Sequence, residues 1–386
     1  MRILFLASDF PSPLQPARGT FNLALAKALA RKHELRVIAP IAWPIRWKSK
    51  SGPAKSPDFP VWRPTYYYPP KFQRARYHLW MNWSIRKAVA QATENWRPDA
   101  VLAYWAHPDG AAGATIAEQL GVPSAIIVGG SDVLLLPKDP ARKPAVVQAL
   151  RTTTAVVTVC QQLKSAVVDL GIDPEKIHVW TQGVDAKIFH PGEKSAARAR
   201  LGIVAPETVF LCVARLEHVK GVDLLLDACY HLLNRGDKFR LYIVGGGSEA
   251  AKLEKKTWNR GLTRNVYFLG PRGGRELADW YRAADRTVLS SRSEGLPNVL
   301  RESLACGTRF IATEVGGVRE IAGPGDFLCP PNDPVALAEL MHYCLTAAPA
   351  APPPPLPDWD QSADAIAQIL SFGNPSPLPG VPVKSA

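Results

Sequence analysis

The stretch VFLCVARLEHVKGVDLLLDACYHLL runs from Val209 to Leu233 and changes its apolar spacing halfway along. Val209–Val213 is a continuous apolar run, which is typical of a strand buried on both faces. Val222–Leu233 repeats apolar side chains every three or four residues, which is the spacing of an amphipathic helix. A buried strand that leads through a short polar loop into a helix is half of a βαβ unit. The stretch therefore predicts a parallel sheet with crossover helices.

The same alternation of strand and helix occurs on both sides of this stretch. The predicted strands are Arg2–Ala7, Leu35–Pro40, Ala100–Trp105, Ser124–Val128, Ala155–Cys160, Ile177–Trp180, Val209–Val213, Arg240–Val244, Val266–Leu269, Arg286–Ser290 and Arg309–Thr313. The predicted helices are Phe21–Arg31, Gly110–Leu120, Gln161–Leu170, Val222–Leu233, Ser248–Asn259, Glu276–Ala283, Pro297–Cys306 and Pro334–Leu345. Strands separated by helices of this length indicate an α/β protein with parallel sheets.

The length of the chain indicates two domains. At 386 residues it exceeds what one hydrophobic core usually supports, and the alternation restarts after a polar stretch that contains Pro191-Gly192. We predict an α/β fold with two Rossmann-like, doubly wound parallel-sheet domains, residues 1–190 and 191–346, facing across a cleft. A proline-rich linker over 347–357, a helix over 358–372 and a disordered tail over 373–386 would follow.

The composition bounds the class of protein. Hydrophobic residues make up 47% and charged residues 21%, which is ordinary for a globular protein and excludes wholesale disorder. No apolar run of about 18 residues is present to span a bilayer. The six cysteines have no metal-ligand or redox spacing, and the N-terminus reads as a buried strand rather than a signal peptide. We therefore expect a cytoplasmic protein.

The net charge of +12 is concentrated in one stretch. Trp43 to Lys87 carries ten basic residues against one acid, Asp58, together with five tryptophans and three consecutive tyrosines. Basic and aromatic side chains together suit the anionic surface of a membrane. A nucleic acid would also attract them, and an ordinary basic face with some core aromatic residues is the third interpretation. We expect membrane contact and no nucleic acid.

Charged side chains follow several predicted strands, where ligands bind in such folds. Arg215 and Lys220 lie in the loop after Val209–Val213 and could hold a diphosphate. Gly19, before the helix Phe21–Arg31, could bring backbone N–H groups to a phosphate. Gly295-Leu296-Pro297-Asn298 could do the same before the helix Pro297–Cys306, with the proline at its first position.

Two carboxylates accompany the last of these helices. Glu294 precedes it and Glu302 lies two turns along, so both could accept hydrogen bonds from sugar and ribose hydroxyls. Gly245-Gly246-Gly247 after a strand is a rival site, because it fits the dinucleotide fingerprint loosely. That fingerprint requires an acid at the end of the next strand. Val266–Leu269 is followed instead by Gly270-Pro271-Arg272, which argues against a nicotinamide cofactor.

The chain as a whole resembles the family-4 retaining glycosyltransferases of the GT-B fold over about residues 1–372. The matching stretches are Arg18-Gly19-Thr20-Phe21, Pro108-Asp109-Gly110, Gly130-Ser131-Asp132, Gly183-Val184-Asp185 with Phe189 and Pro191, Arg215 with Lys220-Gly221, Glu294-Gly295-Leu296-Pro297 with Glu302, and Gly316-Gly317-Val318-Arg319-Glu320. It is most similar to bacterial enzymes that build cell-surface polysaccharides such as teichuronic acid or exopolysaccharide. The helix that contains Trp359 resembles the one that crosses back onto the first domain in these enzymes.

The resemblance implies the activity and the site. It implies a retaining, metal-independent hexosyltransferase without a cofactor, which moves a sugar from a UDP- or GDP-linked donor to a lipid-linked or glycan acceptor. With the basic and aromatic stretch from Trp43 to Lys87, we expect the enzyme to be a peripheral protein on the cytoplasmic face of the plasma membrane. The catalytic candidates are Arg215, Lys220, Glu294, Asp132 and His107, and the resemblance assigns roles to the first three of them. The implied donor-binding residues are Gly19, Gly295, Leu296, Pro297, Asn298, Val299 and Glu302.

The chain departs from the family pattern on the acceptor side. Relatives commonly carry histidines at the positions held here by Gly129 and Tyr104, and His107 lies near enough in sequence to substitute. Two alternatives to the transferase follow. One is a non-catalytic relative that binds a nucleotide sugar or an assembly partner, and the other is a sugar-nucleotide epimerase on the same fold.

Overall fold

The computed structural model describes residues 1–16, 18–48, 57–204, 208–347 and 351–371. Its strands are β1 (Arg2–Leu6), β2 (Glu34–Ile38), β3 (Ile41–Ala42), β4 (Val61–Trp62), β5 (Thr65–Tyr66), β6 (Ala100–Tyr104), β7 (Ser124–Val128), β8 (Ala155–Thr158), β9 (Ile177–Val179), β10 (Thr208–Val213), β11 (Phe239–Val244), β12 (Val266–Gly270), β13 (Arg286–Leu289), β14 (Phe310–Thr313) and β15 (Phe327–Cys329).

Its helices are α1 (Thr20–Lys32), α2 (Trp43–Lys48), α3 (Tyr77–Thr93), α4 (Ala111–Leu120), α5 (Ser131–Leu134), α6 (Lys143–Thr152), α7 (Gln161–Asp169), α8 (Lys194–Arg200), α9 (Val222–Arg235), α10 (Ala250–Asn259), α11 (Gly274–Ala283), α12 (Asn298–Ala305), α13 (Val318–Ile321), α14 (Pro334–Thr346) and α15 (Trp359–Leu370). None of the helices in the described ranges is long and apolar enough to cross a bilayer.

The chain divides into two compact units. Among the described residues, unit 1 comprises 1–183 and 357–371, and unit 2 comprises Val184–Leu356. The predicted boundary at 190/191 comes after this division, because Ile188 and Phe189 pack on the core of unit 2. Phe189 meets the ring of Tyr281 edge-on at 6.0 Å. Because the surrounding sequence is polar, the apolar pattern does not show that Ile188 and Phe189 belong to unit 2.

Unit 1 is built on a parallel sheet with the strand order β4-β2-β1-β6-β7-β8-β9. A separate parallel pair joins β3 to β5. The order reverses between β1 and β6, so the loops that leave these two neighbouring strands diverge and open a crevice at their carboxyl ends. Every residue of β6 and of β7 is buried, because helices cover both faces of such a sheet.

Unit 2 repeats the design with the parallel strand order β12-β11-β10-β13-β14-β15. Its order reverses between β10 and β13. One side of the sheet packs on α9 and α14 through Leu225, Leu226 and Met341. The other side packs on α8 and α11 through Ala197, Trp280 and Tyr281. Two doubly wound parallel sheets are therefore present, as the sequence predicts.

Some helices differ from the sequence-based expectation. The apolar spacing did not reveal α3 or α6. Apolar residues lie on both the buried face and the outer face of α3, so its sequence lacks the one-sided apolar pattern that predicts an amphipathic helix. The helix predicted at Pro297 begins at Asn298, with Pro297 as its N-cap. The predicted helix at Ser248 begins at Ala250.

The last helix, α15, belongs to unit 1. Asp358 and Gln361 form a capping box at its start. It packs on α1, where Lys32 pairs with Asp364 at 2.7 Å and Arg31 pairs with Asp360. The Trp180 Nε1–H donates to the carbonyl of Ser362 at 2.9 Å. The linker that precedes α15 is held by Arg309, which donates to the carbonyls of Ala351 and Pro352. The predicted disordered tail over 373–386 lies outside the described residues.

Candidate functional site

The candidate site of unit 2 lies where its strand order reverses. Arg215 and Lys220 follow β10, and Glu294 follows the neighbouring strand β13. Both loops leave the carboxyl ends of adjacent parallel strands, so residues far apart in sequence are brought together.

Lys220 and Glu294 form the central contact of this site. The Lys220 Nζ donates to Glu294 Oε1 at 2.6 Å, and the Ser291 Oγ donates to the same oxygen at 2.6 Å. The two charged side chains are 19% and 8% exposed, so solvent screens the pair only partly. An ammonium and a carboxylate held at the end of the sheet can present a positive charge and a hydrogen-bond acceptor to one ligand.

Gly221 holds the Lys220 loop against β13. It has a φ of 61° and is the N-cap residue of α9. A Cβ at this position would lie 2.0 Å from the carbonyl oxygen of Ser290. Glycine therefore permits the close approach that puts Lys220 beside the loop after β13.

A second glycine holds the Glu294 loop from the other side. Gly316 has a φ of 59°, and a Cβ there would lie 2.4 Å from the Glu294 carbonyl oxygen. The N–H of Gly317 donates to the Gly295 carbonyl at 2.7 Å. The glycine pair noticed in the sequence thus packs directly on the predicted donor-binding loop.

The loop from Gly295 leads into α12. Leu296 is half-buried and Pro297 is buried, while Val299 packs on the core of unit 2. The Oδ1 of Asn298 accepts from Arg301 Nη1 at 3.3 Å. These residues place the start of the helix four positions after Glu294, where its first N–H groups can meet an anion.

Glu302 lies on α12 next to an unusual cation. Its Oε2 accepts from the Tyr281 hydroxyl at 3.0 Å, and burial raises the pKa of the carboxyl to about 7. Arg301 is 1% exposed, and burial lowers its pKa to about 10. Its Nε and Nη2 have no hydrogen-bond partner in the described part of the chain. Sequence reasoning did not single out Arg301, because nothing in its spacing marks it as buried.

Arg215 does not join the Lys220–Glu294 pair. Its guanidinium pairs with Glu217 two residues on, at 2.7 Å, and its side chain is 70% exposed. It lies in the loop after β10 and is available to a ligand that enters from solvent.

The candidate residues of unit 1 lie around its own reversal point, between β1 and β6. Gly19 is the N-cap of α1 with a φ of 64°, and a Cβ there would lie 2.0 Å from the carbonyl oxygen of Asp9. That oxygen also accepts from Asn22 Nδ2 at 2.7 Å. The glycine therefore lets α1 start directly beside the loop that leaves β1.

Asp132 is fully buried and accepts hydrogen bonds from backbone groups. Its oxygens receive the N–H groups of Ala106 at 3.0 Å, Gly129 at 3.1 Å and Gly130 at 2.8 Å. Burial raises its pKa to about 6, and these hydrogen bonds oppose the rise. Asp132 thus ties the loop after β6 to the loop after β7. A catalytic role for it stays a prediction.

His107 is also fully buried. Its Nε2 lies 3.2 Å from both His78 Nδ1 and the Ala75 carbonyl oxygen, and its Nδ1 has no partner within the described ranges. Burial lowers its pKa to about 3, with further lowering by His78 and Arg142. The ring is therefore neutral near pH 7, and its catalytic role stays a prediction.

The two departures from the family pattern lie against each other. A Cβ on Gly129 would be 2.5 Å from the Tyr104 hydroxyl oxygen. Tyr104 is buried and its ring meets Phe21 at 4.9 Å. The tyrosine thus occupies the space that a side chain at position 129 would need, so the two departures form one structural unit.

Unit 1 contains a pocket that sequence reasoning did not identify. It has a volume of about 240 Å³ and is lined by Ser8, Phe10, Ser12, Gln15, Arg18, Pro40, Ile41, Ala42, Ile45, Tyr66, Tyr68, Tyr77 and Pro108. Ser8 donates from N and Oγ to the buried Asp109, at 2.6 and 3.0 Å, and burial raises the pKa of Asp109 to about 7. The position of Ser8 directly after the predicted strand Arg2–Ala7 is a signal that could have indicated this pocket.

Comparisons with known proteins agree with this architecture. The family model described as "Glycosyltransferase Family 4" matches residues 19–188, and "Glycosyl transferases group 1" matches residues 193–351. The solved structure of Anabaena Alr3699/HepE in complex with UDP covers 95% of each chain at 22% identity, with a TM-score of 0.70. At that identity the likeness shows the fold.

Two curated relatives match most of the chain. A D-inositol 3-phosphate glycosyltransferase of Xylanimonas cellulosilytica is 30% identical over 74% of this chain and 75% of its own. The putative teichuronic acid biosynthesis glycosyltransferase TuaC of Bacillus subtilis is 29% identical over 88% of each chain. The chain spans 61% and 60% of the length of two further D-inositol 3-phosphate glycosyltransferases that it matches. The predicted resemblance is confirmed: the chain belongs to the family-4 glycosyltransferases and has their GT-B fold.

Proposed function

We propose that the protein transfers a sugar from a nucleoside diphosphate sugar to an acceptor, with the donor held by unit 2. The observation that carries this proposal is the contact between Lys220 and Glu294 at the reversal point of the sheet, 2.6 Å long and largely shielded from water. A cation and a carboxylate fixed side by side suit a ligand that combines a diphosphate with sugar hydroxyls.

Each contact of the site has a role in this proposal. Lys220 and the exposed Arg215 compensate the charge of the diphosphate, most strongly when it leaves, because a preorganised charge stabilises a developing anion best. The two contacts that Glu294 receives from Lys220 and Ser291 fall on Oε1. Its Oε2 is then the oxygen that accepts a sugar hydroxyl. Glu302 accepts from the ribose.

The finer assignments rest on the family resemblance. They are a UDP- or GDP-linked donor, retention of configuration, and no metal or other cofactor. A peripheral position on the cytoplasmic face of the plasma membrane is proposed instead from the basic and aromatic stretch between Trp43 and Lys87. The match to TuaC, which is named for teichuronic acid biosynthesis, supports a lipid-linked or glycan acceptor in cell-surface polysaccharide synthesis. Asp132 and His107 remain candidates for a role on the acceptor side. Gly19 remains a candidate for contact with the donor phosphates.

Calorimetric titration of UDP, GDP and ADP tests the donor site. We expect one nucleotide to bind, and Glu302→Ala to weaken its binding about tenfold, which corresponds to the loss of one good hydrogen bond. Glu254→Ala is the matched control, since Glu254 is exposed on α10. Binding of none of the three nucleotides would overturn the proposal.

Turnover separates the transferase from its alternatives. The protein should consume the nucleotide sugar in the presence of acceptor, and Lys220→Ala should reduce transfer at least a hundredfold while the protein stays folded. Affinity for the nucleotide without turnover would indicate a binding protein. Conversion of the donor with no acceptor would indicate an epimerase.

A further inference from the structure

Tyr281 carries a hydroxyl that the packing of unit 2 does not require. It lies on α11, is 0% exposed, and packs in an apolar cluster with Trp280 and Cys306. Its ring meets Phe189 edge-on at 6.0 Å. Phenylalanine would make the same apolar contacts, and a buried hydroxyl is costly unless it is hydrogen-bonded. The reason for a tyrosine here is therefore to be found in what its hydroxyl contacts.

Tyr281 is tied to α12 and to the turn that follows this helix. Its hydroxyl donates to Glu302 Oε2, on α12, at 3.0 Å. Its carbonyl accepts from the hydroxyl of Thr308, just after α12, at 2.7 Å. Both ends of the residue are thus fixed by hydrogen bonds, so the phenol is a rigid support for the carboxylate of Glu302.

Glu302 has an inner and an outer carboxylate oxygen. Glu302 keeps part of its surface accessible, whereas Tyr281 has none. Among the described residues, the hydrogen bond that Glu302 receives falls on Oε2. Oε1 is then the oxygen that can accept from a ligand, while Tyr281 is out of a ligand's reach.

The groups around Glu302 set the charge of its carboxyl. Burial raises its pKa to about 7, and the Tyr281 hydroxyl and the Arg301 cation oppose this rise. Cys306, four residues on, and Cys212, which faces Tyr281 from β10, have pKa values raised by burial to about 12, so both thiols are neutral. Near pH 7 the carboxyl is therefore divided between its charged and neutral forms, and a hydrogen-bond donor on a ligand favours the charged form.

We infer that the Tyr281 hydroxyl is a positioning group for recognition of the donor's ribose: it holds Oε2 of Glu302 from inside unit 2 and so presents Oε1 to a ribose hydroxyl. This rests on the proposed function, in which Glu302 accepts from the ribose. An oxygen that is already held in place loses less freedom when the ligand binds. A ligand without the hydroxyl leaves that oxygen unpaired. The site therefore selects ribonucleotides over deoxyribonucleotides, and Tyr281 strengthens the selection.

Paired calorimetric titrations of the full chain test this inference. The probes are UDP, GDP and ADP, followed by the 2′-deoxy and 3′-deoxy forms of the one that binds. Wild type should bind at least one deoxy form about tenfold or more weakly than the ribonucleotide. Tyr281→Phe keeps the ring and its packing. It should weaken binding of the ribonucleotide about five- to tenfold, the value of one hydrogen bond, and change binding of that deoxy form less than about twofold.

Two controls isolate the contact with Glu302. Tyr267→Phe also removes a hydrogen-bonded hydroxyl from unit 2, since Tyr267 on β12 donates to the Arg264 carbonyl at 2.8 Å. It should leave the affinities for both nucleotides as in wild type. In a chain that carries Glu302→Ala, Tyr281→Phe should have no further effect, because no carboxylate remains to be positioned.

The pH dependence of binding is a readout that a merely structural role of Tyr281 would not move. Binding of the ribonucleotide to wild type should strengthen as the pH rises towards about 7 and level off above it, because the ribose favours the ionised carboxyl. Tyr281→Phe removes a donor that lowers this pKa, so its curve should level off at higher pH. Titration of the nucleotide's own phosphate is common to both proteins and cancels in the comparison.

The outcomes separate this inference from the proposed function. If none of the three nucleotides binds, the proposed function fails and the inference fails with it. If wild type binds a ribonucleotide but Tyr281→Phe has the same affinity and pH dependence, the donor site stands and the role of Tyr281 is overturned. Equal weakening of the ribonucleotide and its deoxy forms would also overturn that role, because a disturbed fold affects both alike. So would a wild type that binds the deoxy forms as tightly as the ribonucleotide.

Discussion

Replacing Glu302 by Gln should change how the stability of the protein depends on pH. The carboxyl of Glu302 is buried on α12, and its pKa is raised from 4.5 to about 7. The Tyr281 hydroxyl is the hydrogen-bond donor that supports the charged form, at 3.0 Å. Glutamine keeps the shape of the side chain but cannot ionise, so the substitution isolates the effect of the charge.

The sign follows from where the proton is held. Between pH 4.5 and about 7 the folded protein keeps the proton on Glu302, whereas the unfolded chain has released it. The contribution of this group to the free energy of unfolding is therefore at its maximum below pH 4.5 and is lost as the pH rises to about 7. A pKa rise from 4.5 to about 7 corresponds to about 3 kcal/mol. Glu302→Gln should thus gain about 3 kcal/mol relative to wild type across this interval and no more above it.

Urea denaturation at a series of pH values from below 5 to above 8 measures this difference. Other buried carboxyls, such as those of Asp109 and Asp132, titrate in both proteins and cancel in the comparison. Tyr281→Phe should extend the pH dependence to higher pH, because the carboxylate loses its donor. Glu254→Gln, at an exposed position, should follow wild type. Parallel curves for wild type and Glu302→Gln would show that Glu302 does not hold a proton in the folded protein between pH 4.5 and about 7.

Three further predictions concern packing and charge. In a double-mutant cycle by urea denaturation, Lys220→Met and Glu294→Gln should show a coupling free energy of about 1–3 kcal/mol. Either change alone leaves a half-buried charge without its partner. Additive effects on the free energy of unfolding would contradict this. Gly129→Ala should destabilise the protein by about 1–3 kcal/mol, because the added Cβ meets the Tyr104 hydroxyl. Tyr104→Phe removes that hydroxyl, so thermal melting of the double variant should show part of the loss recovered. An equal loss from Gly129→Ala with Tyr104 and with Phe at position 104 would contradict this. Arg301→Met should leave the thermal midpoint of the ligand-free protein unchanged or raised, since two buried nitrogens of Arg301 have no hydrogen-bond partner among the residues that the structure describes. A loss of more than about 3 kcal/mol in stability would contradict this.

Local patterns account for much of the fold. Buried parallel strands appear as short continuous apolar runs, and the helices between them keep a one-sided apolar spacing, so β10 and α9 could be predicted to within about two residues. α3 could not be predicted from its spacing, because its outer tryptophans obscure the buried face. What those tryptophans contact depends on surroundings that the spacing does not encode.

The alternation of strands and helices, and with it the loops that carry the candidate residues, could be predicted from the sequence, because strand ends follow from local apolar runs. Which of these residues contact each other depends on how the elements pack. Lys220 contacts Glu294 because the reversal of strand order makes β10 and β13 neighbours, whereas Arg215 pairs with Glu217. Burial likewise depends on all the elements packed around a residue, and a linear pattern does not specify them. The sequence therefore did not reveal that Asp132 and His107, both candidates for catalysis, are fully buried among backbone groups and neighbouring rings.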